Sequence, residues 1–168
     1  MAAPTRYAPG RDFPEYAFLP GRDAHPTRDP KGHSFDAEEP APVYLEPQRW
    51  RENEAYLFGV DLYNHGYLWE AHEAWEGVWH PSKHDVLQAE HLQGLIQCTA
   101  AALKVEMGQP RGVERLAELG TARLERVARQ AAPVYMGLDL VEFVPAFRAF
   151  AGSSPTSAKA RPRIELAT

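Results

Sequence analysis

The chain has 168 residues, of which 44% are apolar and 24% are charged, which is enough for one domain with an ordinary hydrophobic core. Its 18 basic and 23 acidic residues give a net charge of −5, which disfavours nucleic-acid binding because that function needs a basic face. A single cysteine, Cys98, excludes an internal disulfide and a cysteine-rich zinc module. No apolar run reaches the ~18–20 residues of a membrane span, and the N-terminus lacks an apolar signal core. We therefore expect a cytoplasmic protein that binds neither nucleic acid nor membrane.

The first 48 residues predict an extended arm. Nine of the fifteen prolines lie before Arg49, and a proline disfavours helical backbone at its own position and at the one before it. The same stretch carries aromatic residues whose exposure to water is costly: Tyr7, Phe13, Tyr16, Phe18, Phe35 and Tyr44. We expect an arm over residues 1–48 that packs on the body through these rings; the alternative is a disordered leader.

Residues 49–151 predict a bundle of about five helices. Apolar periodicity, with glycine or proline at the ends, marks helices over residues 51–63, 67–80 and 85–107, a fourth over about 113–127, and a fifth over 139–150. Asp139 and Glu142 resemble a capping pair at the start of the fifth. The tail, residues 152–168, is rich in serine, alanine and proline, and we expect it to be flexible. The sequence thus predicts an all-α single bundle with an extended N-terminal arm.

The second predicted helix has a polar face. At ~100° per residue, Trp69, His72, Glu73, Glu76 and His80 fall within one narrow arc, while apolar residues occupy much of the rest. The simplest interpretation is an amphipathic helix whose acidic side faces solvent.

The third predicted helix favours a more specific interpretation. It is apolar nearly all round, which is typical of a helix at the centre of a bundle, yet Glu90, Gln93, Gln97 and Lys104 form one polar stripe. Unpaired polar groups there would cost ~1–3 kcal/mol each, so they need partners. The nearest partners are on the second helix. We therefore expect a polar cleft between the two helices; for a small-molecule ligand, its candidate binding residues are Trp69, Gln93, Gln97 and Lys104.

A metal ion is one use of such a cleft. His72, Glu73 and Glu76 offer imidazole and carboxylate ligands at one-turn spacing, which suits zinc, manganese or iron. The pattern differs from the His-Glu-x-x-His motif of zinc proteases, since a carboxylate replaces the second imidazole. His25 and His33, in a turn-rich part of the arm, are weaker candidate ligands.

Two other uses stay open. The cleft could catalyse a small-molecule hydrolase or lyase reaction, with Glu73 or Glu76 as base and His72 as acid. Alternatively, the same residues could form a structural polar network inside a non-catalytic helical interaction module, a homodimer. Lys104 would then pair with Glu73 or Glu76, and it would also repel a cation.

Three motifs resemble a known family. Tyr63-Asn-His-Gly-Tyr-Leu-Trp-Glu-Ala-His-Glu-Ala-Trp-Glu-Gly-Val-Trp79, Leu92-Gln-Gly-Leu-Ile-Gln97 and Ala100-Ala-Ala-Leu103 are similar to the bacterial and archaeal family 309 of domains of unknown function. The resemblance covers residues 54–150 and implies a small multi-helical bundle, without an activity that could be carried over. Lys104 stands where this family commonly has histidine, and the long arm lies outside the family's core.

Overall fold

The structure, a computed structural model, describes residues 2–168. Its five α-helices are α1 (Glu54–Asn64), α2 (Leu68–Trp79), α3 (Val86–Glu106), α4 (Pro110–Gln130) and α5 (Leu140–Gly152). Short 3-10 helices lie at Pro47–Glu52, His80–Ser82 and Ala158–Ala160. An antiparallel pair, β1 (Val134–Tyr135) and β2 (Leu138–Asp139), joins α4 to α5. The prediction of an all-α bundle is confirmed.

Local signals set the ends of these helices. The Asn53 side chain accepts a hydrogen bond from the backbone of Tyr56 and starts α1, and Asp85 caps α3 in the same way. The predicted cap at Asp139 is confirmed, because its Oδ1 accepts from the backbone nitrogens of Val141 and Glu142. Gly66 closes α1 with a φ of 89°, in the left-handed region that glycine tolerates best.

Helix α3 lies between α2 and α4 in the bundle. Small residues allow α4 to pack very closely against it: a Cβ on Gly94 would lie 2.7 Å from Leu124, and a Cβ on Gly120 would lie 2.8 Å from the Cys98 sulfur. The core around α3 is built from large, fully buried side chains, which include Tyr56, Tyr63, Trp75, Leu92, Leu95, Leu124 and Phe147.

The arm packs on α1 and α2 through several of its rings. Phe18 is buried, and Phe13 stacks on Tyr67 with ring centroids 4.9 Å apart. The Tyr44 hydroxyl donates a hydrogen bond to Asp85 at 2.9 Å. Phe35 is the exception, because it stays exposed.

The tail differs from the flexible segment that its composition predicts. Ala158, Ile164 and Leu166 are buried, and Ile164 exchanges two backbone hydrogen bonds with the Asn64 side chain, both of 2.8 Å. Leu166 also bridges to Leu138 of β2. A few well-placed apolar residues hold this segment, although its average composition is polar. The division at residues 48/49 and 151/152 stays a prediction.

None of the helices within residues 2–168 combines the length and apolarity needed to cross a membrane.

Candidate functional site

Three side chains of α2 converge at the surface. His72 Nε2 lies 3.3 Å from a Glu76 carboxylate oxygen, and His72 Nδ1 lies 3.4 Å from a Glu73 carboxylate oxygen. One potential ligand atom from each residue lies within 4.8 Å of the other two. The His72 side chain is 25% exposed, whereas Glu73 and Glu76 are 47% and 40% exposed. The predicted trio therefore shares one place on α2, with its imidazole partly covered and its carboxylates open to water.

The electrostatics of this trio favour positive charge. Burial acts to lower the pKa of His72, but the carboxylates of Glu73 and Glu76 outweigh it and raise that pKa above its ordinary value. His72 Nδ1 is buried, and no group among residues 2–168 lies in hydrogen-bond geometry with it. A proton or another cation bound here would be stabilised by the two acids.

The α3 stripe does not join the trio in the way that the sequence predicts. Glu90 forms ion pairs with Arg123 and Arg126 of α4, the second at 3.0 Å. Gln97 Oε1 accepts a hydrogen bond from Arg123 Nε at 3.0 Å. Within residues 2–168, Gln93 makes no side-chain hydrogen bond, and none links the trio to either glutamine. The stripe faces α4 because the close contact of Gly94 with Gly120 draws that helix, with its arginines, alongside it.

Lys104 also has a partner other than the predicted one. Its ammonium donates to Gln109 Oε1 at 2.8 Å, at the end of α3. Pairing with Glu73 or Glu76 is therefore not observed, and the repulsion that Lys104 was expected to exert on a cation at the trio loses its basis.

Trp69 of α2 packs against two rings of the arm, those of Phe18 and His25. The Trp69 ring meets Phe18 edge-on at 5.3 Å and His25 at 5.6 Å. The His25 ring nitrogens face the backbone of Thr27 and the side chain of Arg28. Trp69 is thus partly buried against the arm, and His25 does not belong to the trio.

His33 contacts a buried carboxylate that the sequence did not suggest as its partner. Its Nε2 lies 2.7 Å from Glu70 of α2, and the two side chains are 3% and 6% exposed. Glu70 also accepts from the Phe18 backbone nitrogen at 3.1 Å, and His33 Nδ1 lies 2.7 Å from the Ser34 hydroxyl. Both ring nitrogens of His33 are therefore engaged by protein groups.

A second buried carboxylate ties the start of the arm to α1. Asp61, with an exposed fraction of 0%, accepts hydrogen bonds from Arg6 Nε at 2.9 Å and from the backbone nitrogens of Tyr7 and Ala8 at 2.7 and 2.8 Å. The one available signal was an acid inside the apolar run of residues 57–62, since a buried charge needs partners. Asp61 and Glu70 thus each hold a different part of the arm through buried hydrogen bonds.

A groove lies between α1, α2 and arm residues 39–45. Its cavity volume is about 1050 Å³. Apolar side chains make up much of its lining, with Glu73 of α2, His80 directly after α2 and the buried Asn53 among its polar members. Sequence reasoning missed this groove because the arm supplies one of its walls, and the two parts are distant along the chain.

Residues 56–116 match the model of a family described as Domain of unknown function (DUF309). The chain is therefore similar to this family over 61 of its 168 residues. The match runs from α1 into α4 and includes the trio on α2, so the predicted family resemblance is confirmed. The arm and the tail lie outside the matched part of the chain. No curated protein and no solved structure matches the chain.

Proposed function

We propose that the protein binds a divalent transition-metal ion through His72, Glu73 and Glu76. The observation that supports this is the convergence of three ligand atoms to within 4.8 Å of one another. Ligand atoms at ~2.0–2.2 Å from one ion lie about 3.0–3.5 Å apart. Rotations that move the exposed glutamate oxygens by about 1–2 Å would therefore close the site around an ion.

The ligand set selects the class of metal. One imidazole and two carboxylates combine nitrogen with oxygen, which suits zinc, manganese or iron, whereas calcium and magnesium prefer oxygen ligands alone. The two carboxylates would also neutralise the charge of a divalent ion. Three protein ligands leave at least one coordination position for water or a substrate, as in catalytic sites.

A hydrolase or lyase reaction is compatible with this proposal. Such an ion would supply an activated water as a nucleophile near neutral pH. Because the carboxylates of Glu73 and Glu76 are exposed, one of them would be free to act as the general base. Glu73 also lines the groove, so a molecule held there would lie beside the ion.

The test is metal content together with direct binding. Wild-type protein purified without chelator should carry close to one equivalent of zinc, manganese or iron by elemental analysis. His72→Ala and Glu76→Gln should lose it, and titration calorimetry with Zn²⁺ should show affinity falling by about 10- to 100-fold or more. His84→Ala is the matched control, because His84 is an exposed histidine outside the trio. Equal metal content in wild type and His72→Ala would refute the proposal.

The interaction-module alternative has less support. Exposed tryptophans on the helices would favour it, because tryptophan is a frequent interface anchor. Trp50 and Trp75 are buried, and Trp69 and Trp79 are partly buried. A homodimer stays a prediction, which light scattering on the purified chain would test.

A further inference from the structure

We propose that the groove between α1, α2 and arm residues 39–45 binds a small organic cation that has an apolar chain and a hydrogen-bond acceptor. The proposal is independent of the metal ion, although Glu73 borders both places. Charge, shape and one unpaired buried donor support it.

The charge of the groove selects a cation. Its lining contains the carboxylates of Glu39, Glu52, Glu54 and Glu73, against one guanidinium, that of Arg11. Arg11 is already engaged: its guanidinium carbon lies 4.4 Å above the Phe58 ring, and its Nη2 lies 3.5 Å from Glu39. Phosphate and carboxylate ligands would meet a surplus of negative charge.

Two carboxylates differ in how free they are to meet a ligand. Glu52 is paired with Arg49 at 2.6 Å, whereas Glu54 forms no ion pair within residues 2–168. Glu54 lies in the first turn of α1 and lines the groove beside Asn53. It is therefore the carboxylate most available to a ligand ammonium.

The body of the groove is apolar. Ala55, Phe58, Ala74 and Gly77 supply the helical side, and prolines and Leu45 supply the side formed by the arm. The arm runs directly over α2 at Gly77, where an added Cβ would lie 3.6 Å from Pro42. An alkyl chain laid along this surface would lose contact with water.

The side chain of Asn53 is the reason for expecting a hydrogen-bond acceptor on the ligand. The residue is 5% exposed, and its Oδ1 accepts from the Tyr56 backbone nitrogen at 3.1 Å as the cap of α1. Its Nδ2 is buried and has no hydrogen-bond partner among residues 2–168. Buried donors are rarely left unpaired in folded proteins, and a ligand carbonyl in the groove would satisfy this one.

Four related molecules test the proposal by titration calorimetry or NMR. N-acetylcadaverine carries an ammonium, an alkyl chain and a carbonyl. Pentylamine lacks the carbonyl, N-pentylacetamide lacks the charge, and 6-acetamidohexanoate reverses it. We expect N-acetylcadaverine to bind with a Kd on the order of 1 mM, as its few atoms allow. Pentylamine and N-pentylacetamide should bind more weakly, and the anion should not saturate the protein.

Two variants of groove residues and one control variant show which ligand group each residue contacts. Glu54→Gln should weaken N-acetylcadaverine about 2- to 5-fold and leave N-pentylacetamide unchanged. Asn53→Ser keeps an oxygen for the helix cap and should weaken N-acetylcadaverine and N-pentylacetamide about 2- to 10-fold without changing pentylamine. Glu118→Gln, an exposed acid on α4, is the control for charge alone and should bind like wild type.

Several outcomes would overturn the proposal. They are an anion that binds as tightly as the cation, the absence of saturable binding by N-acetylcadaverine, and unchanged affinities in both groove variants. Titrations run with a chelator, and with His72→Ala, should give wild-type affinity. The proposal for the groove and the proposal for the metal site can therefore be refuted independently of each other.

Discussion

The buried histidine His91 should make the stability of the protein depend on pH in a defined way. The His91 side chain is fully buried, and its Nε2 lies 3.2 Å from the Tyr56 hydroxyl. That hydroxyl donates its proton to the Met136 carbonyl at 3.0 Å, so Nε2 must carry the imidazole proton and donate it to the Tyr56 oxygen. Nδ1 is buried with no partner among residues 2–168. A second proton would therefore place an unsolvated charge in the core.

Burial lowers the pKa of His91 to about 3. The ordinary pKa of histidine is about 6.5, so between these values the unfolded chain binds a proton that the folded chain does not. The free energy of unfolding is then unaffected by His91 above pH 6.5 and decreases as the pH falls toward 3. A pH of 5 lies about 1.5 units below the ordinary pKa of histidine. At roughly 1.4 kcal/mol per unit, His91 therefore lowers the free energy of unfolding at pH 5 by about 2 kcal/mol.

Urea denaturation of wild type and of His91→Gln at pH 7.5 and pH 5 measures how much His91 contributes to the pH dependence of stability. Glutamine is polar, does not titrate, and can keep a donor toward Tyr56. The His91→Gln variant should be less stable than wild type at both pH values, because it loses the edge-on contact of the His91 ring with Tyr135, whose centroids lie 5.0 Å apart. Between the two pH values, however, wild type should lose about 2 kcal/mol more than the variant. Exposed His84→Gln should behave like wild type. Equal pH dependence in wild type and His91→Gln would refute the reasoning.

Three other outcomes follow from the structure. Asp61→Asn leaves the Arg6 guanidinium without its buried carboxylate and should lower the free energy of unfolding by about 3–5 kcal/mol. Proteases should also cleave the arm faster in this variant, and cleavage at the wild-type rate would contradict the anchoring role of Asp61. Gly120→Ala should lower the free energy of unfolding by about 1–3 kcal/mol or more, since its Cβ would lie 2.8 Å from the Gly94 carbonyl oxygen. In the control Gly152→Ala the new Cβ meets nothing within 4 Å, so the melting temperature should change little. Similar shifts of the melting temperature in both variants would contradict the close contact between α3 and α4. Because the carboxylates raise the pKa of His72, Zn²⁺ affinity should fall as the pH drops through and below that pKa, where protons compete with the ion; an affinity independent of pH would contradict binding through the imidazole.

Much of the backbone could be predicted from neighbouring residues alone. Apolar spacing along each helix, the cap at Asp139 and the left-handed turn at Gly66 are local, and they follow from the chemistry of a few consecutive residues. The convergence of His72, Glu73 and Glu76 is also local, because Glu76 lies four residues after His72 and three after Glu73, and a helix brings residues at these spacings to the same face.

Contacts between distant segments could not be predicted in this way. Gln97 met Arg123, and not the trio, because two glycines let α4 approach α3 closely. Likewise, the burial of Asp61 depends on backbone nitrogens more than fifty residues away. The tail attaches through Asn64, about one hundred residues before it. The periodicity of a helix shows which side chains share a face, but the neighbour that covers the face is chosen by packing across the whole chain.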